Sequence, residues 1–459
     1  MSAPAAVSRR EAPAPDASDG FSPALMMDVE LTRPLPAVGH DGRHRRAWVL
    51  GRLHGEPVGS CFIRLDPAGL TPHQLGVLLW PELREPVIER FAAAGLPEPA
   101  TLTGQGLTAD PAAWPFLLRR RQVLAAAPAI SVVICTRDRP DQLAACLSHL
   151  ARQEYPRFEV VVVDNAPAGD AVRRLVETRR PACRYVPEPR RGLSWARNAG
   201  IAAASAGIIA FLDDDEEPDA HWLAGLAGGF ARGGDVGCVT GVILPARLDT
   251  QVQEWFEQAG GHSKGRGFRP AVFSRYGPQS PLYPLPPFGA GGNMAFRREA
   301  LAHIGGFDVA MGAGTPARAS EDTLALTLVL LAGYRITYEP AALVRHDHYG
   351  EIDGLGRQLR GYGVGVTAYY TALLRHRPGV FPALLRLLPA AAGYLRGADV
   401  TDPALPQGLP PQFKRAQRWG MLTGPAAYLQ SVGRQARVAA AESRRSAAKA
   451  RRTAPEARP

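Results

Sequence analysis

From Ala129 onward the apolar positions fall into two alternating textures. Short runs rich in β-branched residues, AISVVICT (129–136), FEVVVVDN (158–165), CRYVPE (183–188), GIIAFLDDD (207–215) and VGCVTGVIL (236–244), predict strands. Between them QLAACLSHLARQ (142–153), AGDAVRRLVETRR (168–180), LSWARNAGIAAASA (193–206) and DAHWLAGLAGGFAR (219–232) carry apolar residues at helical spacing. Strand and helix in alternation imply an α/β fold with a Rossmann-like, mostly parallel sheet covered by helices on both faces. In such sheets ligands gather at the carboxyl ends of the strands. Three of those ends are polar here: Thr136-Arg137-Asp138, Asp164-Asn165 and Asp213-Asp214-Asp215. A single polar end is ordinary turn chemistry, whereas three on one edge predict a site.

On either side of this region the pattern changes. Residues 28–125 read as a small N-terminal α/β domain, with strands in AWVLGRLHGEPVGSCFIRL (47–65) and a helix over 81–94, after a disordered leader at 1–27. The sheet domain spans 126–354. A helical C-terminal region follows at 355–431, rich in Arg and aromatics, and a basic tail closes the chain at 432–459. No window reaches the ~18 uninterrupted apolar residues of a membrane span, and the leader has no apolar core of a secretory signal. Five scattered cysteines show neither a disulfide framework nor zinc spacing, which fits a reducing cytoplasm.

Charge sharpens the picture in two places. The net charge is +10, and 432–459 holds eight basic against two acidic residues, so the tail supplies +6 of it. Basicity confined to an appendage argues against a reader of bases; no nucleic-acid partner is expected, and the main functional role for such a tail is contact with an anionic membrane surface. Conversely, FLDDDEEP (211–218) sets five carboxylates in a row after an apolar run. Like charges ~4 Å apart repel by about 1 kcal/mol even in water, so a positive partner is expected. A hard dication, Mn²⁺ or Mg²⁺, takes carboxylate oxygens together with substrate phosphates.

Four ordered segments then resemble the family 2 glycosyltransferases. SVVICTRDRPDQLAACLSHLARQEYPRFEVVVVDNA (131–166) is similar to the family's opening strand, helix and strand, and RRGLSWARNAGIAAASAGIIAFLDDDEEPDAHWL (190–223) to its central motif with the Asp-x-Asp. FGAGGNMAFRREALAHIGGFD (288–308) resembles the acceptor-side segment, and SEDTLALTLVLLAGYRITYEPAALVRHDHYG (320–350) the Glu-Asp motif with late histidines. The resemblance implies a GT-A fold and an inverting, metal-dependent transfer from a UDP-, GDP- or dTDP-linked sugar to an acceptor hydroxyl, in the cytoplasm or at the inner face of the cell membrane, in making a cell-envelope glycan, a lipid-linked sugar or a natural product. Carried over by position, Thr136 and Arg137 line the nucleoside pocket, Asp164 accepts from the base, and Arg197, Asp213 and Asp214 lie by the nucleotide. Asp215, with Asp213 and His346, holds the metal. Asp322 is the expected general base, with Glu321 as the alternative. His346 and His348 alternate after a strand-like run, so they are expected on opposite sides. Two other readings stand beside this one. A sugar-phosphate nucleotidyltransferase would need a Gly-rich phosphate loop where the chain has TRDRPDQL, and a non-enzymatic binder would act through the tail.

Overall fold

The computed structural model describes residues 21–178, 183–263, 265–277, 282, 288–389 and 409–453. The leader as far as residue 20, residues 390–408 of the helical region and the last six residues lie outside them. The main sheet contains β4 (Ile130–Thr136), β5 (Phe158–Asn165), β6 (Cys183–Glu188), β7 (Ile208–Asp213), β8 (Glu216–Pro218), β9 (Val236–Pro245), β10 (Ala271–Phe273), β11 (Met294–Arg297) and β12 (Arg335–His346). Its order is β10-β12-β9-β11-β7-β4-β5-β6, with β8 paired to β12 outside that path. β7, β4, β5 and β6 run parallel, as do β9 and β12. The short β11 is wedged antiparallel between β7 and β9.

The β-branched runs are buried on both faces, as a covered parallel sheet requires. Val132, Ile134, Val160 and Val162 pack with Leu143, Leu147 and Leu150 of α3 (Pro140–Leu150) and Trp222 of α6 (Trp222–Phe230). The intervening Val133, Val161 and Val163 pack on the other face with Ala196 of α5 (Leu193–Ala203) and with Phe211, Phe296 and Leu326.

The N-terminal sheet joins β1 (Ala24–Glu30), β2 (Arg46–Leu53) and β3 (Glu56–Arg64) beneath α1 (Pro72–Ala93), with α2 (Pro115–Ala126) leading into β4. Two expected boundaries move. The leader ends before residue 27, because β1 begins at Ala24, whose N–H bonds to Leu248 O at 3.0 Å, and α1 begins at Pro72, where Thr71 forms a capping box with Gln74. Trp48 and Leu50 of β2 are buried with Val242, Leu244 and Tyr338 of the main sheet. Arg46 grips Glu254 of α7 (Gln251–Gln258) through both guanidinium nitrogens at 2.8 and 2.7 Å. The small sheet is thereby fastened to the large one.

The remaining helices are α4 (Ala171–Thr178), α8 (Arg298–Ile304), α9 (Glu321–Leu331), α10 (Ile352–His376), α11 (Phe381–Leu385) and α12 (Pro411–Thr453). α12 crosses α10 at very close range: a Cβ on Gly363 would stand 1.9 Å from Gln417 O, and one on Gly424 2.0 Å from Thr367 Oγ1. Among the described residues no helix is long and apolar enough to cross a membrane. All five cysteines are free thiols.

Candidate active site

Register places the acids. Thr136 at the end of β4 pairs with Asp164 on β5, and Cys135 pairs with Asp213 on β7, so the two carboxylates flank one strand end. β8 then doubles back against β12, which sets Glu216 opposite His346. The expected convergence of three strand ends is present, and β12 contributes a fourth.

The first positive partners of the acidic run are arginines. Arg139 Nη1 lies 3.3 Å from Asp214 Oδ1 and 3.1 Å from Asp215 Oδ2. Arg197 Nη2 lies 3.6 Å from Asp213 Oδ1 and 3.2 Å from Gly291 O, while its Nη1 donates to Glu321 Oε1 at 2.7 Å. Arg197 and Glu321 are both buried. Burial raises the Asp213 carboxyl to about 6, against the pull of Arg197 and with repulsion from Asp215 behind it. Asp214 also rises to about 6 through burial and Asp215, although Thr136 Oγ1 donates to it at 2.6 Å. Glu216, fully buried, is pushed well above the usual carboxylate range by burial and by Asp213 and Asp215, and it accepts from the Asp213 N–H at 3.2 Å. Burial likewise lifts Glu321 to about 7 despite Arg197. Four carboxyls with raised pKa values, burial leading in each, gather at these strand ends, the kind of cluster found at functional sites.

Each residue expected in the site can now be located. Asp164 is wholly buried at the end of β5; Tyr185 OH donates to its Oδ2 at 2.9 Å and its Oδ1 has no hydrogen-bond partner. Thr136 is turned towards Asp214. Arg137 is exposed and pairs with Asp138 at 3.7 Å, and it is Arg139, two residues on, that enters the crevice. Asp215 faces His346, with Oδ1 3.7 Å from Nε2. Asp322 begins α9 beside Glu321, and its Oδ1 accepts from the Thr323 N–H at 2.6 Å. Glu321 points into the protein at Arg197, whereas Asp322 keeps access to the crevice.

The GAGGN loop (289–293) permits close approach, but to the site's own side chains. A Cβ on Gly291 would stand 2.8 Å from Arg197 Nη2 and 3.2 Å from Asp322 Oδ2, and one on Gly292 would stand 2.2 Å from Glu216 Oε1. Asn293 is buried and fully engaged: Nδ2 donates to Val242 O at 2.9 Å and Ala342 O at 2.7 Å, and Oδ1 accepts from Trp222 Nε1 at 2.9 Å.

One expectation fails outright. His346 and His348 do not point apart; their Nδ1 atoms lie 3.0 Å from each other. Extended chain turns neighbouring side chains to opposite faces but brings residues i and i+2 to the same face, so two histidines with one residue between them belong on one side and the expectation of opposite sides was mistaken.

Residues 131–305 match the family described as Glycosyl transferase family 2. That segment is a family 2 glycosyltransferase domain. The chain is 22% identical over 228 residues to the glucosyl-dolichyl phosphate glucuronosyltransferase of Haloferax volcanii, 47% of this chain and 68% of that protein. It is 29% identical over 158 residues to a pre-mycofactocin glycosyltransferase of Mycobacterium tuberculosis and 38% identical over 104 residues to the succinoglycan biosynthesis protein ExoM of Rhizobium meliloti. Those stretches cover 34% and 21% of this chain, and only 30% and 33% of the relatives. Among solved structures the chain is similar to the mannosyltransferase PcManGT of Pyrobaculum calidifontis, solved with GDP-Man and Mn²⁺, at 21% identity and TM-score 0.44 over 67% of this chain and 92% of that one.

The carboxylates suit a hard dication. Asp213 and Asp215 offer oxygen donors, both keep part of their side chains open, and Asp215 adds repulsion to the burial that raises Asp213 and Asp214 even with two arginines present.

Proposed function

We propose that this glycosyltransferase moves a sugar from a nucleoside diphosphate to an acceptor hydroxyl with inversion. The observation that carries the reading is the juxtaposition at Gly291, where Arg197, which reaches Asp213 of the Asp-x-Asp, and Asp322 of α9 meet on one backbone position. Donor-binding acids and a free carboxylate therefore share one crevice. The buried Asp164, with one oxygen unpartnered, suits an N–H of the nucleoside base. Asp213 and Asp215 suit Mn²⁺ or Mg²⁺, with His346 beside Asp215. When bound, such an ion neutralises the charge of the departing diphosphate.

Asp322 supplies the base. Its carboxylate takes the proton of the acceptor hydroxyl as that oxygen bonds to the anomeric carbon from the face opposite the diphosphate, whose bond to carbon breaks. Asp322 lies in the first turn of α9, at the positive end of the helix dipole. Glu321, committed to Arg197, positions that cation instead. The family match and the absence of a Gly-rich loop after β4 favour glycosyl transfer over nucleotidyl transfer.

The α12 face supports docking on an anionic membrane surface: Trp419, Leu422 and Leu429 are exposed along one side with Arg415, Arg437 and Arg444 in line with them.

The test is a thermal-shift screen of UDP-, GDP- and dTDP-sugars with Mn²⁺ or Mg²⁺. A donor at ~100 times its Kd should stabilise by about 2.7 kcal/mol. Asp164→Ala should abolish that shift. If no nucleotide sugar shifts the parent protein, or Asp164→Ala responds as the parent does, the donor assignment is wrong.

A further inference from the structure

Beside the carboxylate crevice three imidazoles meet, and the glycosyl-transfer reading does not use them as a group. His262 follows α7, His346 ends β12 and His348 lies two residues beyond; one ring nitrogen from each lies within 4.8 Å of the others. The ring centroids of His262 and His346 are 4.6 Å apart, those of His346 and His348 5.2 Å and those of His262 and His348 5.5 Å. Phe256 forms a wall, 4.8 Å from the His348 ring and 5.1 Å from that of His262. The pocket is dry on that side, since the His348 side chain is 1% exposed.

One of the tautomers is set by its partner. His348 Nε2 lies 2.6 Å from Glu257 Oε1, and a carboxylate only accepts, so the His348 N–H sits on Nε2 and its Nδ1 carries a lone pair. That lone pair faces His346 Nδ1 across 3.0 Å, while His346 Nε2 lies 3.7 Å from Asp215 Oδ1, beyond hydrogen-bond distance. A carboxylate on the far nitrogen of a histidine is the usual outer partner of a metal-ligating imidazole, where it fixes the tautomer and raises ligand basicity. Here such a couple directs its lone pair into a group of three imidazoles.

We propose that His262, His346 and His348 form a nitrogen-donor site for a borderline transition-metal dication such as Zn²⁺, with Glu257 as its outer carboxylate. The donor set differs in kind from the oxygen set of Asp213 and Asp215: imidazoles select zinc, cobalt, nickel or copper, and carboxylates with phosphates select magnesium or manganese. His346 stands between the two sites, with Nδ1 towards His348 and Nε2 towards Asp215. This goes beyond the transfer reaction and does not depend on it.

The experiment uses the full chain, stripped with a chelator and titrated with Co²⁺ without donor or acceptor, so that its outcome is separate from that of the donor screen. Cobalt held by nitrogen donors in a four- or five-coordinate site shows strong visible d–d bands, and Zn²⁺ should displace it and erase them. His262→Ala and His348→Ala should lose the bands. Glu257→Gln should keep them but weaken binding by ~10–100-fold, the range for loss of an outer partner. Asp213→Asn should leave the bands in place. Circular dichroism identifies any variant that fails to fold, and Glu257→Gln then carries the test. Bands that persist in His262→Ala and vanish in Asp213→Asn would show that the metal sits on the carboxylates. Nitrogen-15 NMR with stoichiometric Zn²⁺ gives an independent check: a proton on Nδ1 of His346 or His348 would show that a hydrogen bond, and no metal, joins the rings, and would overturn the proposal.

Discussion

Arg197→Met tests how the crevice holds its carboxylates. Arg197 is 2% exposed, with Glu321 Oε1 at 2.7 Å and Asp213 Oδ1 at 3.6 Å. At an effective dielectric near 20 these contacts are worth about 6 and about 5 kcal/mol of gross attraction. Desolvation of the guanidinium offsets much of that, and removing one member of a buried pair costs about 3–5 kcal/mol net. The deficit should depend on pH with a definite sign. Glu321 and Asp213 have folded pKa values raised to about 7 and about 6, so what they contribute to stability is present below their unfolded values and is lost as pH rises through 6 to 7. Without Arg197 those values rise further. Arg197→Met should therefore be close to the parent in urea midpoint at pH 5, where both acids are neutral, and fall short by about 3–5 kcal/mol at pH 8. Arg197→Lys should not restore the loss, because one ammonium cannot serve Glu321 and the Gly291 carbonyl from two directions. Equal deficits at the two pH values, or a variant as stable as the parent at pH 8, would refute the reasoning.

The other expectations follow from the same geometry. Asp322→Asn should lower kcat by ~10²–10⁴-fold, as loss of a general base does, while donor-dependent thermal stabilisation persists; retained turnover would remove Asp322 from the base role. Mn²⁺ should raise the unfolding temperature more at pH 8 than at pH 5, since Asp213 and Asp214 are protonated below about 6 and must lose those protons to bind a cation; a larger effect at pH 5 would contradict the assignment. Co-sedimentation with liposomes should require anionic lipid, weaken with salt and fall when Trp419 and Leu422 are changed to Ser; binding indifferent to lipid charge would exclude the electrostatic part.

Much of this architecture was legible in the chain because its signals were periodic. The β-branched runs around Val132 and Val160 and the helical spacing of Leu143, Leu147 and Leu150 lie where the pattern placed them. What escaped was set by contacts between distant segments. β8 is three residues of an acidic run, made a strand only by β12 alongside. β11 carries no alternation of its own and is defined by the gap between β7 and β9. In the site, Asp213, Asp215 and Asp322 could be singled out by motif. Arg139 could not be told from Arg137, since which guanidinium turns inward depends on how the chain enters α3. Glu216 is one of five acids in a row with nothing to set it apart, yet the sheet folds it under Gly292. The meeting of His346 with His348 was legible in their two-residue spacing, since such residues share a face of extended chain; what the spacing could not show was His262, brought beside them from beyond α7.

The Asn293 amide has a bearing on how the protein ages. Between Tyr338 and Leu343 the pairing of β12 with β9 slips out of register, and the Asn293 side chain spans that place by donating one hydrogen to each strand while accepting from Trp222. Deamidation would keep the shape of this side chain to within an atom and reverse its chemistry: both donors would become lone pairs facing the carbonyls of Val242 and Ala342. A one-dalton change, too small to alter the side chain's volume, would thus press two strands of the central sheet apart beneath the GAGGN loop. Slow loss of activity in stored protein, with the core otherwise intact, is what that chemistry would look like.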